Sequence, residues 1–239
     1  MFDTGNMDAD NRQLADIANI APVVLAKDLL VPVPEVFHEV LPRSGLQRGW
    51  ATQVAGSPSG RVFAWALLSE VTRSGGWVAA VDVPGISLAA ASEVGLSIER
   101  VLVISRVEAQ NWADVMGALI GSVDVVMYAS PQHRVQSSTY RKLLSRCRER
   151  GTILMQLASD SRPAVRPPVE VDVSFDVQSA DWRGLGNGHG CLESRTVNVT
   201  VSGRRIPGQP RTGSFMVPDT DGSVRAVPDS TDPVLAIVN

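Results

Sequence analysis

The stretch QVAGSPSGRVFAWALLSE, Gln53 to Glu70, holds the residue types whose spacing comes closest to a chemical motif. A phosphate-binding loop reads G-x-x-x-x-G-K-[ST]: its glycines let backbone N–H groups wrap the phosphates, its lysine neutralises the β and γ oxygens, and its hydroxyl ligates Mg²⁺. Gly56, Ser59 and Gly60 keep the glycine-rich turn, while Arg61 and Val62 stand where the lysine and the hydroxyl belong. Setting Gly60-Arg61-Val62 on Gly-Lys-Thr puts Ala55 at the first glycine; starting from Gly56 leaves the loop one residue short. Either way the lysine and the hydroxyl are gone. A guanidinium keeps the charge, but it is planar and sits on a longer stem, so it does not replace a compact ammonium threaded through the loop. Lys27 and Lys142 are the only lysines, and neither offers an obvious rescue. The stretch therefore reads as a turn that still guides a strand into a helix after losing its phosphate chemistry.

Other reactive groups are sparse. His189 and Cys191, in GLGNGHGCLES, are two potential metal ligands without a second pair, too few for a tetrahedral site. A glycine-rich loop is expected there, with no metal and no cofactor. His38 and His133 have no recognisable acid or nucleophile neighbours. Arg162 and Arg166, together with Arg204, Arg205 and Arg211 near the C-terminal strands, are the candidate contacts to nucleic-acid phosphates. A formal net charge of −3 excludes the global basic field that drives non-specific nucleic-acid binding, so any DNA contact is expected to be weak, local or indirect.

The 239 residues, 44% apolar and 20% charged, suit one generous globular domain or two small ones. Two distant cysteines, with no signal peptide and no apolar run long enough to span a membrane, predict a reducing cytoplasmic setting. Residues 8–19 have a helical pattern that VPVP interrupts, and residues 1–43 read as an arm leading into the core. A strand over 50–55, the glycine turn and a helix from Gly60 to Ser74 follow. Strands over 77–83, 100–104, 123–128 and 152–158 then alternate with helices. One helix carries Trp112, Val115, Met116, Leu119 and Ile120 on an apolar stripe; another carries Tyr140, Leu143, Leu144 and Cys147, with Ser138 as its expected N-cap and Gly151 as its stop. The arginines of that second helix are expected on a solvated face. Alternating strands and helices predict a mostly parallel sheet covered on both faces.

Beyond residue 169 the pattern becomes strict alternation. Val171, Val173, Phe175 and Val177 face one way, with Asp172, Ser174 and Asp176 opposite; Val197, Val199 and Val201 repeat the theme. These predict half-exposed antiparallel strands, followed by a hairpin over 213–227 with its turn at Pro218 to Gly222. Residues 228–239 form a tail whose apolar patch, Val234, Leu235, Ile237 and Val238, packs on its own domain or on a partner.

The segments SGLQRGWATQVAGSPSGRVFAWALL, GGWVAAVDVPG, EVGLSIERVLVI, SVDVVMYAS and RTVNVTVSGRRIPGQPRTGSFMVPDTDG, in that order, resemble the RecA-type recombinase core. More narrowly, they resemble the actinobacterial ImuA-prime branch of the SulA/ImuA family. The resemblance spans about residues 44–227. It implies an α/β fold: a RecA-like P-loop core with a mostly parallel central sheet flanked by helices and extended by C-terminal antiparallel strands. Recombinases follow their second strand with an acid that activates water; the matching place here is Pro84, with Asp82 earlier. The Mg²⁺-supporting acid at the end of a later strand corresponds to Ala129, and Asp124 belongs to that strand's other end. Phosphoryl transfer depends on positioning and charge, and losing its supports together implies a pseudo-ATPase.

Membership of the ImuA-prime branch implies an adaptor in a DNA-damage-induced mutagenesis complex for error-prone translesion synthesis. Its direct partner would be an ImuB-type, Y-family polymerase-like subunit, and an error-prone C-family DNA polymerase would join the same assembly indirectly. The expected setting is cytoplasmic, nucleoid-associated on DNA damage. The alternatives are an atypical ATP-binding recombination mediator and a regulator that binds RecA or single-stranded DNA.

Overall fold

The computed structural model describes residues 29–56, 58–131, 133–158, 171–185 and 190–227. The helix expected over 8–19, Arg162, Arg166, and the tail residues Val234, Leu235, Ile237 and Val238 lie outside the described residues.

The described elements are β1 (Leu30–Pro32), β2 (Gly45–Gln47), β3 (Ala51–Ala55), α1 (Ser59–Arg73), β4 (Val78–Val81), α2 (Leu88–Glu93), β5 (Val101–Ile104), α3 (Trp112–Leu119), β6 (Val125–Ala129), α4 (Ser137–Arg150), β7 (Ile153–Leu157), β8 (Val173–Leu185), β9 (Gly190–Ser202), β10 (Arg211–Met216) and β11 (Arg225–Ala226). Among the described residues they build one nine-stranded sheet, ordered β11-β10-β9-β8-β3-β7-β6-β4-β5, and a separate β1-β2 pair. The run from β8 to β5 is parallel throughout, whereas β9, β10 and β11 add on antiparallel. The fold is thus mixed α/β, with a large, mostly parallel central sheet flanked by helices and prolonged by antiparallel strands.

Sequence explains the layers. Strands β4 and β7 are buried at every position, as continuous apolar runs must be when helices cover both faces. Helix α1 is apolar nearly all round and accordingly buried, from Phe63 through Leu68 to Val71. It lies on one face of the sheet, where Phe37, Phe63, Phe175 and Phe215 meet edge to face or tilted, with Phe37 and Phe63 centroids 5.2 Å apart. The opposite face is covered by α3 and α4, whose Trp112, Met116, Tyr140, Leu143, Leu144 and Cys147, with Ile120 just after α3, are buried in one cluster with Tyr128 and Leu154. On α4 the charged residues Arg141, Lys142, Arg146, Arg148, Glu149 and Arg150 are all exposed, and Gly151 ends the helix at φ 74°.

Three local expectations change. The boundary at residue 43 falls inside the core, because Val31, Val33, Phe37, Val40 and Leu41 are buried and β1 pairs with β2. Apolar side chains of the VPVPEVF segment supply part of the aromatic cluster, which is why this segment is not a free arm. Helix α4 starts at Ser137 after Gln136, with no side-chain cap, so Ser138 is not its N-cap. Asp172 does not join Asp176 on the solvent face; it is 2% exposed. Its carboxylate accepts the Ala51 N–H at 3.0 Å and pairs with Arg204 and, at 3.6 Å, with Arg205. The paired charge and the backbone donor stabilise a buried anion that alternation alone assigns to water.

Candidate functional site

Strands β3, β7, β6 and β4 are parallel neighbours, so their C-terminal ends open on one edge of the sheet, the edge at which open α/β sheets bind ligands. The Gly56–Gly60 turn, Pro84 and Ala129 all follow or end these strands there.

The turn is tight. Gly56 has φ +94°, and a Cβ on it would sit 1.7 Å from the Val177 carbonyl oxygen of β8. Gly60 packs against the Ala55 carbonyl, where an added Cβ would come within 2.6 Å. The Gly60 N–H donates to the Gly56 carbonyl and the Arg61 N–H donates to the Pro58 carbonyl at 3.2 Å. Proline offers no N–H of its own. These two donors are thus turned back onto the loop, and Ser59 is only 3% exposed.

Arg61 crosses to the neighbouring loop. Its Nη1 donates to the carbonyl oxygens of Pro84 and, at 3.1 Å, of Gly85. The residue at the lysine position therefore ties α1 to the loop in which the resemblance expects a catalytic acid. Asp82, at φ 49°, is committed elsewhere: its Oδ1 accepts the Val107 N–H at 3.2 Å and its N–H donates to the Ile104 carbonyl at 2.8 Å. That left-handed carboxylate residue anchors the turn after β5. Beyond Ala129, the Ser130 N–H donates to the Leu157 carbonyl at 3.2 Å, and Ser130 Oγ accepts from Gln156 Nε2 at 2.8 Å. Asp124 sits at the far end of the sheet, where it accepts the Trp77 N–H at 2.9 Å and pairs with Arg48 at 2.8 Å.

Beneath this edge lies a buried, uncharged polar group. The Tyr128 and Tyr140 hydroxyls hydrogen-bond to each other, with Trp112 packed edge-on against Tyr128. Burial raises both phenols, Tyr140 to about 12, and pushes the Cys147 thiol from 9.0 to about 12. An unfolded thiol ionises near 9, whereas the buried one stays neutral. The stability contributed by neutral Cys147 is therefore complete below pH ~9 and falls as the pH climbs toward 12. Denaturant midpoints measured from pH 7 to 11 are expected to drop above pH ~9, and Cys147 should react with a thiol reagent at pH 8 far more slowly than an unfolded cysteine. A rapid native reaction would contradict the burial argument.

Of the candidate phosphate contacts, Arg204 and Arg205 pair with Asp172, and Arg211 Nη1 donates to the carbonyls of Leu41 and, at 3.4 Å, of Glu39. These three arginines fasten the C-terminal strands to the core and do not gather at the sheet edge with Arg61. His38 Nε2 lies 3.3 Å from the Val33 carbonyl oxygen, and His133 packs edge-on to Trp112. Among the described residues no group of three metal-ligating side chains comes together; His189 and the side chain of Cys191 lie outside them.

Sequence reasoning missed two groups. Asp172 carried no signal except its place one residue before a strand. Arg195, 3% exposed, stacks under Trp182 at 4.9 Å and donates from Nε to the Val217 carbonyl at 3.2 Å. A charged residue in the alternating strand β9 gave no hint of that burial.

The family model of the MT3502 N-terminal domain matches residues 39–162, just over half of the chain. The match takes in β2 to β7 and α1 to α4, so it contains the whole of the turn, Arg61, Pro84 and Ala129, and ends before β8. The sheet nevertheless continues past that limit, since β8 pairs with β3. No curated protein matches the chain.

Proposed function

We propose, taking as premise that the chain belongs to the MT3502 N-terminal domain family, that it is a non-catalytic adaptor of a DNA-damage-induced mutagenesis complex. In this reading the core is RecA-like, its ATP site is degenerate, and its direct partner is an ImuB-type, Y-family polymerase-like subunit. An error-prone C-family polymerase joins the assembly through that partner.

One observation carries the non-catalytic part. Arg61, at the lysine position, is hydrogen-bonded to the Pro84 and Gly85 carbonyls, so the cation that would hold phosphates ties α1 to the neighbouring loop instead. The hydrogen-bonded turn and the commitment of Asp82 to Val107 support the same reading. The RecA-like assignment draws support from the order strand, glycine turn, helix and from the long parallel run containing β3. For the adaptor role, the fold offers a rigid sheet ending in β5, which among the described strands pairs only with β4; Leu102 and Val103 on it are 40% and 43% exposed.

The reading is tested by mixing the purified chain with an ImuB-type subunit and following complex formation by size exclusion and calorimetry. A stoichiometric complex with Kd of ~1 μM or tighter is expected, unchanged by Mg-ATP. Absence of a complex at tens of micromolar would overturn the partner assignment. Arg61→Ala is expected to leave the complex intact and to cost only ~1 kcal/mol of stability, the usual worth of exposed hydrogen bonds to carbonyls.

A further inference from the structure

The outward surface of α4 is strongly basic and unpaired. Arg141, Lys142, Arg146, Arg148 and Arg150 are exposed there, with Glu149 the sole carboxylate of the helix. None of these five cations has an ion-pair partner among the described residues. Arg148 and Arg150 in the last turn are accounted for by the helix dipole, which favours cations at a C-terminus. Arg141 and Lys142, in the first half of the helix, are not. A surface of this sign stands out in a chain whose net charge is −3.

The opposite charge is carried by residues 1–28, which contain Asp3, Asp8, Asp10, Asp16 and Asp28 against Arg12 and Lys27. That segment joins the described fold at Leu29. The Leu29 carbonyl accepts the Arg48 N–H at 2.8 Å, and the Arg48 guanidinium reaches the carbonyl of Gly151, the residue that caps α4, at 3.5 Å. Next to it, a Cβ added to Gly49 would come within 2.8 Å of Arg148 Cα. The segment therefore enters at the C-terminal end of α4. The helix is about 21 Å long, and about seven extended residues at ~3.3 Å each cover that distance. Tethering raises the local concentration to the order of millimolar, so modest electrostatic contacts suffice for docking.

We propose that residues 1–28 dock in cis across the basic outer face of α4, with their aspartates set against Arg141, Lys142 and Arg146. Docking covers a surface that would otherwise attract polyanions, and it stands independently of the adaptor reading above.

The scarcity of lysine makes the test clean. Lys142 is the sole lysine among the described residues, and Lys27, the other lysine of the chain, belongs to the segment itself. Zero-length carbodiimide cross-linking of the full chain, mapped by mass spectrometry, is expected to join Lys142 to Asp3, Asp8, Asp10 or Asp16 in the monomeric species. The yield should fall at least ~5-fold when ionic strength is raised from about 0.02 to 0.5 M, because exposed pairs are screened. It should fall similarly in Arg141→Glu/Arg146→Glu, whose folding is checked by circular dichroism; both positions are exposed. No link between Lys142 and residues 1–28 at low salt would overturn the proposal. Links confined to a cross-linked dimer would overturn it in favour of a second copy. Saturable binding of a single-stranded oligonucleotide that Arg141→Glu/Arg146→Glu abolishes, without the intramolecular link, would assign the face to nucleic acid instead.

Discussion

Gly56→Ala is expected to be among the most destabilising single substitutions in the chain, costing more than ~3 kcal/mol of the ~5–15 kcal/mol that a domain possesses. Two effects add. Gly56 sits at φ +94°, where an L-side chain costs ~1–2 kcal/mol, and its new Cβ would lie 1.7 Å from the Val177 carbonyl oxygen. The obstructing atom is backbone of β8, which pairs with β3 through Val54↔Phe175 and Ala55↔Asp176, so relief requires moving a strand. Gly75 supplies the control. It has almost the same φ, +95°, but nothing within 4 Å of an added Cβ, so Gly75→Ala should cost only ~1 kcal/mol. Urea midpoints for the pair separate conformational strain from collision. Equal losses would mean that β8 does not press on Gly56. The comparison bears on function, because a glycine required by β8 persists in this turn whether or not phosphate ever binds there.

Asp172→Ala should cost about 3 kcal/mol. The change leaves the Ala51 N–H at the start of β3 without its acceptor and removes the anion that Arg204 and Arg205 face. Asp172→Asn keeps a carbonyl oxygen for Ala51 and should lose roughly half as much. A double-mutant cycle with Arg204→Ala is expected to give a coupling of ~1–3 kcal/mol, the range for residues in contact. Wild-type denaturation midpoints in Asp172→Ala would show that this buried carboxylate contributes nothing net. The ion pair also bears on the nucleic-acid reading: Arg204 and Arg205 already face an internal carboxylate, so an outside phosphate competes with Asp172 for them.

Much of this architecture is legible in the chain because its signals are periodic. Tyr140, Leu143, Leu144 and Cys147 draw the buried stripe of α4, and the apolar runs of β4, β6 and β7 announce strands covered on two faces. What stays hidden is pairing over distance. Phe37 reads as part of an arm until Phe63 and Phe215 meet its ring. Asp172 reads as a solvent-facing residue, since nothing local reports an arginine pair more than thirty residues later. At the candidate site the missing lysine and acid are visible as residue types. The use of Arg61 is not, because its acceptors, the Pro84 and Gly85 carbonyls, are backbone atoms whose position depends on how β4 lies relative to β3.

The proposed function requires that the Gly56–Gly60 turn hold no phosphate, and equilibrium titration with a fluorescent ATP analogue tests this most directly. The titration is run with and without Mg²⁺ and single-stranded DNA, on the wild-type chain and on Arg61→Ala. The expected result is no saturable binding up to millimolar nucleotide in either protein, a free energy weaker than about −4 kcal/mol. Saturable, Mg²⁺-dependent binding that Arg61→Ala abolishes would contradict it, because Arg61 would then be releasing Pro84 and Gly85 to hold a nucleotide.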